Sequence, residues 1–165
     1  MIFARKRKNG MGRLLAAALF LPEPGATAAH GETVLRVERA DGAALVEVSA
    51  PAGAKWCLWW RHSVTGGKVA DCFTNDAGRM ILARSFLHDF AAGLGTVAGR
   101  GGRLVSAPGG GYWIEGIDEP IPGNALVLRV GAERVGHRLE IGGQTHRLSS
   151  IAAGERVTIR LRNLR

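Results

Sequence analysis

The side chains best equipped for chemistry crowd into one short segment. Trp56-Cys57-Leu58-Trp59-Trp60-Arg61-His62-Ser63-Val64 holds three of the chain's four tryptophans, an imidazole, a hydroxyl and one of its two cysteines. Read as a strand, its side chains alternate, so Trp56, Leu58, Trp60 and His62 share one face while Cys57, Trp59, Arg61 and Ser63 share the other. Lys68 to Thr74 returns, with Val69, Asp71 and Phe73 on a common face. Across a hairpin the numbers of opposed residues sum to a constant. A two-residue Gly66-Gly67 turn pairs Thr65 with Lys68, a sum of 133, which sets His62 opposite Asp71 and Trp60 opposite Phe73. A four-residue loop, Val64 to Gly67, gives 131 and makes His62 and Asp71 diagonal neighbours. A carboxylate beside an imidazole fixes its tautomer or builds a general base. The plainer reading, a structural pair in a partly buried hairpin, is preferred because no nucleophile is tied to the pair. Ser63 points to the opposite face, so the hairpin by itself does not assemble a Ser-His-Asp triad.

Cys57 and Cys72 are the only cysteines, an even count. Export favours a bridge between them. Direct opposition, however, requires a sum of 129 and a turn on Val64-Thr65, poorer than Gly-Gly. At 133 the two stand four residues out of register, roughly 13 Å apart at the strand rise and beyond disulfide reach. A Cys57–Cys72 disulfide and two buried free thiols both stand at this point. No C-x-x-C or H-x-x-H spacing joins the cysteines to His62 or His88 as metal ligands, and no cofactor or metal is expected. Gly93-Leu94-Gly95-Thr96-Val97-Ala98 superficially fits a dinucleotide fingerprint, yet glycines and the turn Pro108-Gly109 follow it where a long helix is needed.

These residues must be positioned by short strands. Thr33 to Arg39, Leu45 to Val48, Lys55 to Ser63, Lys68 to Thr74, Arg79 to Ala83, Leu126 to Val130, His137 to Ile141, Thr145 to Leu148 and Arg156 to Leu161 each read as strands. They are bounded by turn signals at Asp41-Gly42, Pro51-Ala52-Gly53, Gly66-Gly67, Asn75-Asp76-Ala77-Gly78 and Gly142-Gly143. Ala91 to Gly111 carries eight glycines and reads as a long loop broken by one strand, Arg103 to Ser106. Ser85 to Leu94 is the one segment with helical character. The fold class expected is all-β: an antiparallel sandwich or barrel of short strands, with a Gly-rich loop and at most one short helix. The 165 residues suffice for one domain.

The N-terminus reads as a secretory signal. Arg5-Lys6-Arg7-Lys8 is a positive n-region, Leu14 to Leu21 an apolar stretch, and Ala26-Thr27-Ala28 a small-residue cleavage site after Pro22-Glu23-Pro24-Gly25. Residues 1–28 are therefore assigned to the signal and 29–165 to a single β-rich domain, periplasmic and without membrane insertion once the signal is removed. The formal net charge of +8 divides accordingly. Residues 1–28 hold five basic side chains and one acidic, leaving 17 basic and 13 acidic for the remainder. So small an excess implies solubility and solvated strand faces more than nucleic acid. Gly99-Arg100-Gly101-Gly102-Arg103 is a single element, not an array, and no nucleic-acid partner is expected.

Trp60-Arg61-His62-Ser63-Val64, then Val69-Ala70-Asp71-Cys72-Phe73, then Phe86 and Ala92-Gly93-Leu94 resemble the domain-of-unknown-function family 1850. The shared pattern is an aromatic, one residue, His-Ser-Val, a short turn, an aromatic or apolar position, an acid and an aromatic. His62, Ser63 and Val64 stand for the tripeptide, Asp71 for the acid, Phe73 for the closing aromatic, and Ala92-Gly93-Leu94 for a later glycine element. The resemblance spans roughly residues 33–162. Thr65-Gly66-Gly67 departs from the Glu-Lys-Thr often found after the tripeptide, and Gly95-Thr96-Val97 stands where prolines often follow the glycine element. The resemblance implies a small exported domain encoded beside TRAP transporters of the TAXI type, which pair an extracytoplasmic solute-binding protein with a membrane permease.

Two functions are carried forward. One is a non-enzymatic periplasmic accessory protein that binds a transporter component, solute-binding protein or permease, or the transported solute. Its candidate binding or structural motif is Trp60, His62, Ser63, Asp71, Phe73 and Gly93. The alternative is a small periplasmic hydrolase or metal-dependent enzyme using His62 and Asp71, with the Gly93 to Gly111 loop as a lid.

Overall fold

The computed structural model describes residues 32–88 and 101–164. The proposed signal segment and the glycine element at Gly93 lie outside the described residues. Among the described residues eleven strands run in chain order: β1 (Thr33–Arg39), β2 (Ala44–Ser49), β3 (Lys55–Arg61), β4 (Lys68–Asp76), β5 (Arg79–Leu87), β6 (Arg103–Ser106), β7 (Tyr112–Pro120), β8 (Ala125–Arg129), β9 (Arg138–Ile141), β10 (Gln144–Arg147) and β11 (Arg156–Asn163). A 3-10 turn, Pro122–Asn124, precedes β8, and one short helix, α1 (Leu148–Ala152), lies between β10 and β11.

The strands form two antiparallel sheets, a four-stranded one in the order β2-β1-β11-β8 and a seven-stranded one in the order β10-β9-β3-β4-β5-β7-β6. Period-two alternation explains why they face each other. Leu35 and Val37 of β1 and Val157, Ile159 and Leu161 of β11 are buried, as are Trp56 and Leu58 of β3, Phe73 of β4, Leu82 of β5 and Leu139 and Ile141 of β9. All belong to one core cluster drawn from both sheets. The outer face of the small sheet is charged: Glu38 lies within 3.9 Å of Arg36, Arg160 and Arg162. Much of the arginine content is thus accounted for as ion-paired strand surface. The fold is an all-β sandwich.

The β3–β4 hairpin departs from the expected register. Lys55 pairs with Thr74, Cys57 with Cys72, Leu58 with Asp71 and Arg61 with Lys68, so opposed numbers sum to 129 rather than 133 or 131. The ladder closes with His62 N–H donating to the Gly67 carbonyl, and the reversal centres on Val64 and Thr65. The Gly-Gly turn loses because a two-residue slip leaves every side chain on its own face, so the burial pattern cannot choose between these registers. Specific pairs choose instead. The 129 register stacks Trp56 on Phe73 with ring centroids 6.0 Å apart, and it allows the Cys57–Cys72 disulfide, with Cα atoms 4.0 Å apart. Gly66 ends the loop at φ 72, a left-handed conformation suited to glycine.

Three other expectations change. Ser85 to Leu87 end a strand instead of opening a helix, because Ser85, Phe86 and Leu87 pair with Ile114, Trp113 and Tyr112. The rest of that segment, 89–94, lies outside the described residues. A short helix forms at Leu148–Ala152, so the strand expected over Thr145 to Leu148 stops at Arg147. β7 was not legible at all. Pro108 and three successive glycines precede it, and Gly116 together with a register shift near Leu82 and Arg84 interrupts its alternation.

Candidate functional site

The cross-strand registers align side chains into rows on the outer face of the seven-stranded sheet. One row runs Arg147, Arg138, Trp59, Ala70, Phe86, Trp113, Val105, from β10 to β6. The neighbouring row runs Thr145, Glu140, Cys57, Cys72, Arg84, Glu115, Arg103. Ala70 is fully buried and small, and it lets the large rings close over it. Trp59 and Trp113 sit on strands separated by β4 and β5, roughly 14 Å at the usual strand spacing, yet their ring centroids are 6.2 Å apart in an edge-to-face arrangement. Phe86 lies between them, 5.8 Å from Trp59 and 5.1 Å from Trp113. These spacings fall in the favourable range for aromatic pairs.

Cations frame the rings. The Arg84 guanidinium stands 4.2 Å from the Trp113 centroid and that of Arg138 5.3 Å from Trp59, geometries that are attractive for a cation over an aromatic face. Arg138 also holds Glu140 at 2.8 Å. A cleft of about 440 Å³ opens here, floored by Trp59, Phe86 and Trp113 and edged by Arg61, Lys68 and Arg138. Among the described residues no carboxylate lines it. Arg61 and Lys68 are directly opposed and exposed, and neither has an acidic partner among the described residues. Like charges opposed across a ladder repel.

The residues singled out from sequence are dispersed. The odd register sum keeps Trp60, Asp71 and Phe73 on one face, but that face is the inner one. Phe73 is buried in the core, and Trp60 packs on the core's edge with its ring stacked on His137 at 6.0 Å. Asp71 stands opposite Leu58 and accepts the Ser85 hydroxyl at 2.6 Å. His62 lies past the end of β3, opposite Gly67, where its Nδ1 accepts the Thr65 N–H at 3.3 Å. His62 and Asp71 are thus four ladder positions apart instead of opposed or diagonal. Ser63 is exposed beside His62, and Val64 at the loop tip is 87% exposed.

A second imidazole is structural in its surroundings. His137 is buried, its Nδ1 accepts the Gly131 N–H at 2.9 Å, and burial lowers its pKa. Ser149 Oγ donates to the Gly131 carbonyl and accepts the His137 N–H, so the hydroxyl is committed to backbone and not to the ring. Among the described residues no group of three or more His, Cys, Asp or Glu side chains is placed to hold a metal ion, and no helix is long and apolar enough to cross a membrane.

Sequence reasoning missed the outer-face cleft because it assigned weight to the His62–Asp71 face. The signal was present in Trp59 and Arg61, which share the other face of the same strand. Trp113 was lost with β7. A family model described as Domain of unknown function (DUF1850) matches residues 57–148, more than half of the chain, covering the β3–β4 hairpin from Cys57 on, the disulfide and all three rings of the cleft. No curated protein and no solved structure matches the chain.

Proposed function

The chain belongs to the DUF1850 family, and from that premise we propose that it is a non-enzymatic binding protein, a periplasmic accessory of a TAXI-type TRAP transport system that engages a transporter component or its solute. The observation that carries the reading is the outer-face cleft, where rings from β3, β5 and β7 pack together beside Arg61 and Lys68 of the disulfide-closed β3–β4 hairpin, two cations with no acidic partner among the described residues. Concave sites with an apolar floor and a few convergent polar groups are the usual form of a ligand site. The loop of half-buried His62 and exposed Ser63 and Val64 borders it and offers a second contact surface for a protein partner. The place of action follows from the export signal read at residues 1–28. The hydrolase alternative draws no support from the hairpin register, which engages His62 with its own loop and Asp71 with Ser85.

The experiment is an affinity capture with the mature protein from periplasmic and membrane extracts of cells that make the transporter. Enrichment of its solute-binding protein or permease, reduced by reversing the charges of Arg61 and Lys68, is the expected result. Absence of both transporter components from the eluate would overturn the reading.

A further inference from the structure

The opposed pair Arg61 and Lys68 is an unfavourable arrangement for the free protein. The two side chains close the β3–β4 ladder on one face, both exposed, with no acid to share among the described residues. The third cation at the rim, Arg138, differs because Glu140 already neutralises it. Immediately below the pair lie Trp59 and Phe86, and beyond them Trp113, an apolar floor of the kind that holds a flat or hydrocarbon body. The cleft volume of about 440 Å³ suits a small molecule. A ligand satisfying every surface at once carries a negative group at one end and an apolar body at the other.

We propose that the cleft binds a small organic carboxylate with an aromatic or apolar body, its carboxylate bridging Arg61 and Lys68 and its body lying on Trp59, Phe86 and Trp113. This rests on the reading of the chain as a binding protein and names the ligand class for that site. Arg61 supplies two parallel N–H donors to one carboxylate, and Lys68 adds a point charge from the facing strand. Binding removes the repulsion between the two cations, so an anion is favoured where they oppose each other. Arg84 and Arg138 already cover one face each of Trp113 and Trp59, so the rings hold fixed positions and the floor is preformed.

The test uses the full-length mature protein and three matched probes: phenylacetate, its neutral isostere phenylacetamide, and 2-phenylethylamine, which carries the opposite charge. Binding is read by titration calorimetry and by tryptophan emission. Phenylacetate is expected to bind saturably, about tenfold or more tighter than phenylacetamide, with no binding of the amine. In the Arg61→Gln/Lys68→Gln double variant the acid should lose about tenfold or more and fall to the level of the amide. The ligand-free melting temperature of that variant should be unchanged or higher, since a repulsion is relieved; this establishes that it is folded. A Trp113→Ala variant should weaken acid and amide alike, reporting the apolar floor. Equal binding of acid and amide, undiminished binding in the double variant, or no binding of phenylacetate at millimolar concentration would each overturn the proposal. So would binding of a hexaglutamate peptide without phenylacetate, which points to an acidic segment of a partner protein. These failures are distinguishable from failure of the binding-protein reading, which is overturned only when both transporter components are absent from the captured material, whatever small molecule the cleft takes.

Discussion

Cys57 and Cys72 stand directly opposite each other in the β3–β4 ladder and are joined by a disulfide, which fixes the one register among three of equal facial pattern. Every neighbour relation in the outer-face cleft descends from that register, including the opposition of Arg61 to Lys68 and of Trp59 to Ala70. The bridge closes a sequence separation of 15 residues. On the loop-entropy model such a closure stabilises the fold by about 3 kcal/mol. A Cys57→Ala/Cys72→Ala variant should therefore lose about 2–4 kcal/mol in denaturant melts, and the wild type should lose a similar amount on reduction. A loss within experimental error would show that packing alone holds the register.

Asp71 and Ser85 provide a second test. The half-buried carboxylate takes a hydroxyl at 2.6 Å from a residue that is itself buried. Ser85→Ala should cost about 1–3 kcal/mol, the usual penalty for withdrawing a partner from a buried polar group. Adding Asp71→Asn to it should cost less than the sum of the singles, because the two residues share one interaction. His62→Ala should cost less than Ser85→Ala, since His62 bonds its own loop. A His62→Ala loss equal to that of Ser85→Ala, with strong coupling to Asp71, would restore the imidazole–carboxylate pair that the register separates.

The outcome at Asp71 shows what was legible in the sequence. Strand positions and faces come from alternation and turn residues, and β1 and β6 fall where the pattern puts them, at Thr33–Arg39 and Arg103–Ser106. Alternation is blind to two-residue slips, so His62 and Asp71 could be placed on one face but not paired. Nor does it say which face is inside when both carry tryptophan: Trp56 and Trp60 look inward, while Trp59 lies on the outer face. The third ring, Trp113, was hidden for a different reason. β7 opens after Gly109-Gly110-Gly111 and holds Asp118 at φ 54, so a strand bent by bulges reads locally as loop.

His137 makes stability depend on pH in a defined direction. Burial lowers its pKa in the folded state, so between that value and the ordinary value of about 6.5 the unfolded chain binds more protons than the folded one. The stabilising contribution of the neutral ring is complete above about pH 6.5 and is lost as pH falls through the lowered folded value. Protonation would also put a proton on Nδ1, which accepts the Gly131 N–H at 2.9 Å. Melts of wild type and His137→Gln across about pH 5 to 7.5 should show a steeper acid-side loss for wild type. Parallel curves would mean that other groups govern the acid response.

Gly111 connects the glycine-rich segment to the cleft floor. Its φ is +86°, and a Cβ there would come within 2.6 Å of Phe86 Cζ and 2.7 Å of the Leu87 carbonyl oxygen. Gly109 has nearly the same backbone, φ +83°, but open space around it. The two positions thus share conformational strain and differ in packing. Gly109→Ala should cost about 1 kcal/mol, the strain of a side chain at positive φ. Gly111→Ala should cost about 2–4 kcal/mol, because Phe86 or the β5 backbone must also move. Phe86 contacts both Trp59 and Trp113, so the same substitution should diminish the near-ultraviolet circular dichroism of the tryptophans, whereas Gly109→Ala should leave it intact. Equal losses at the two positions, with unaltered aromatic dichroism in both, would show that the ring cluster does not depend on the close approach of Gly111.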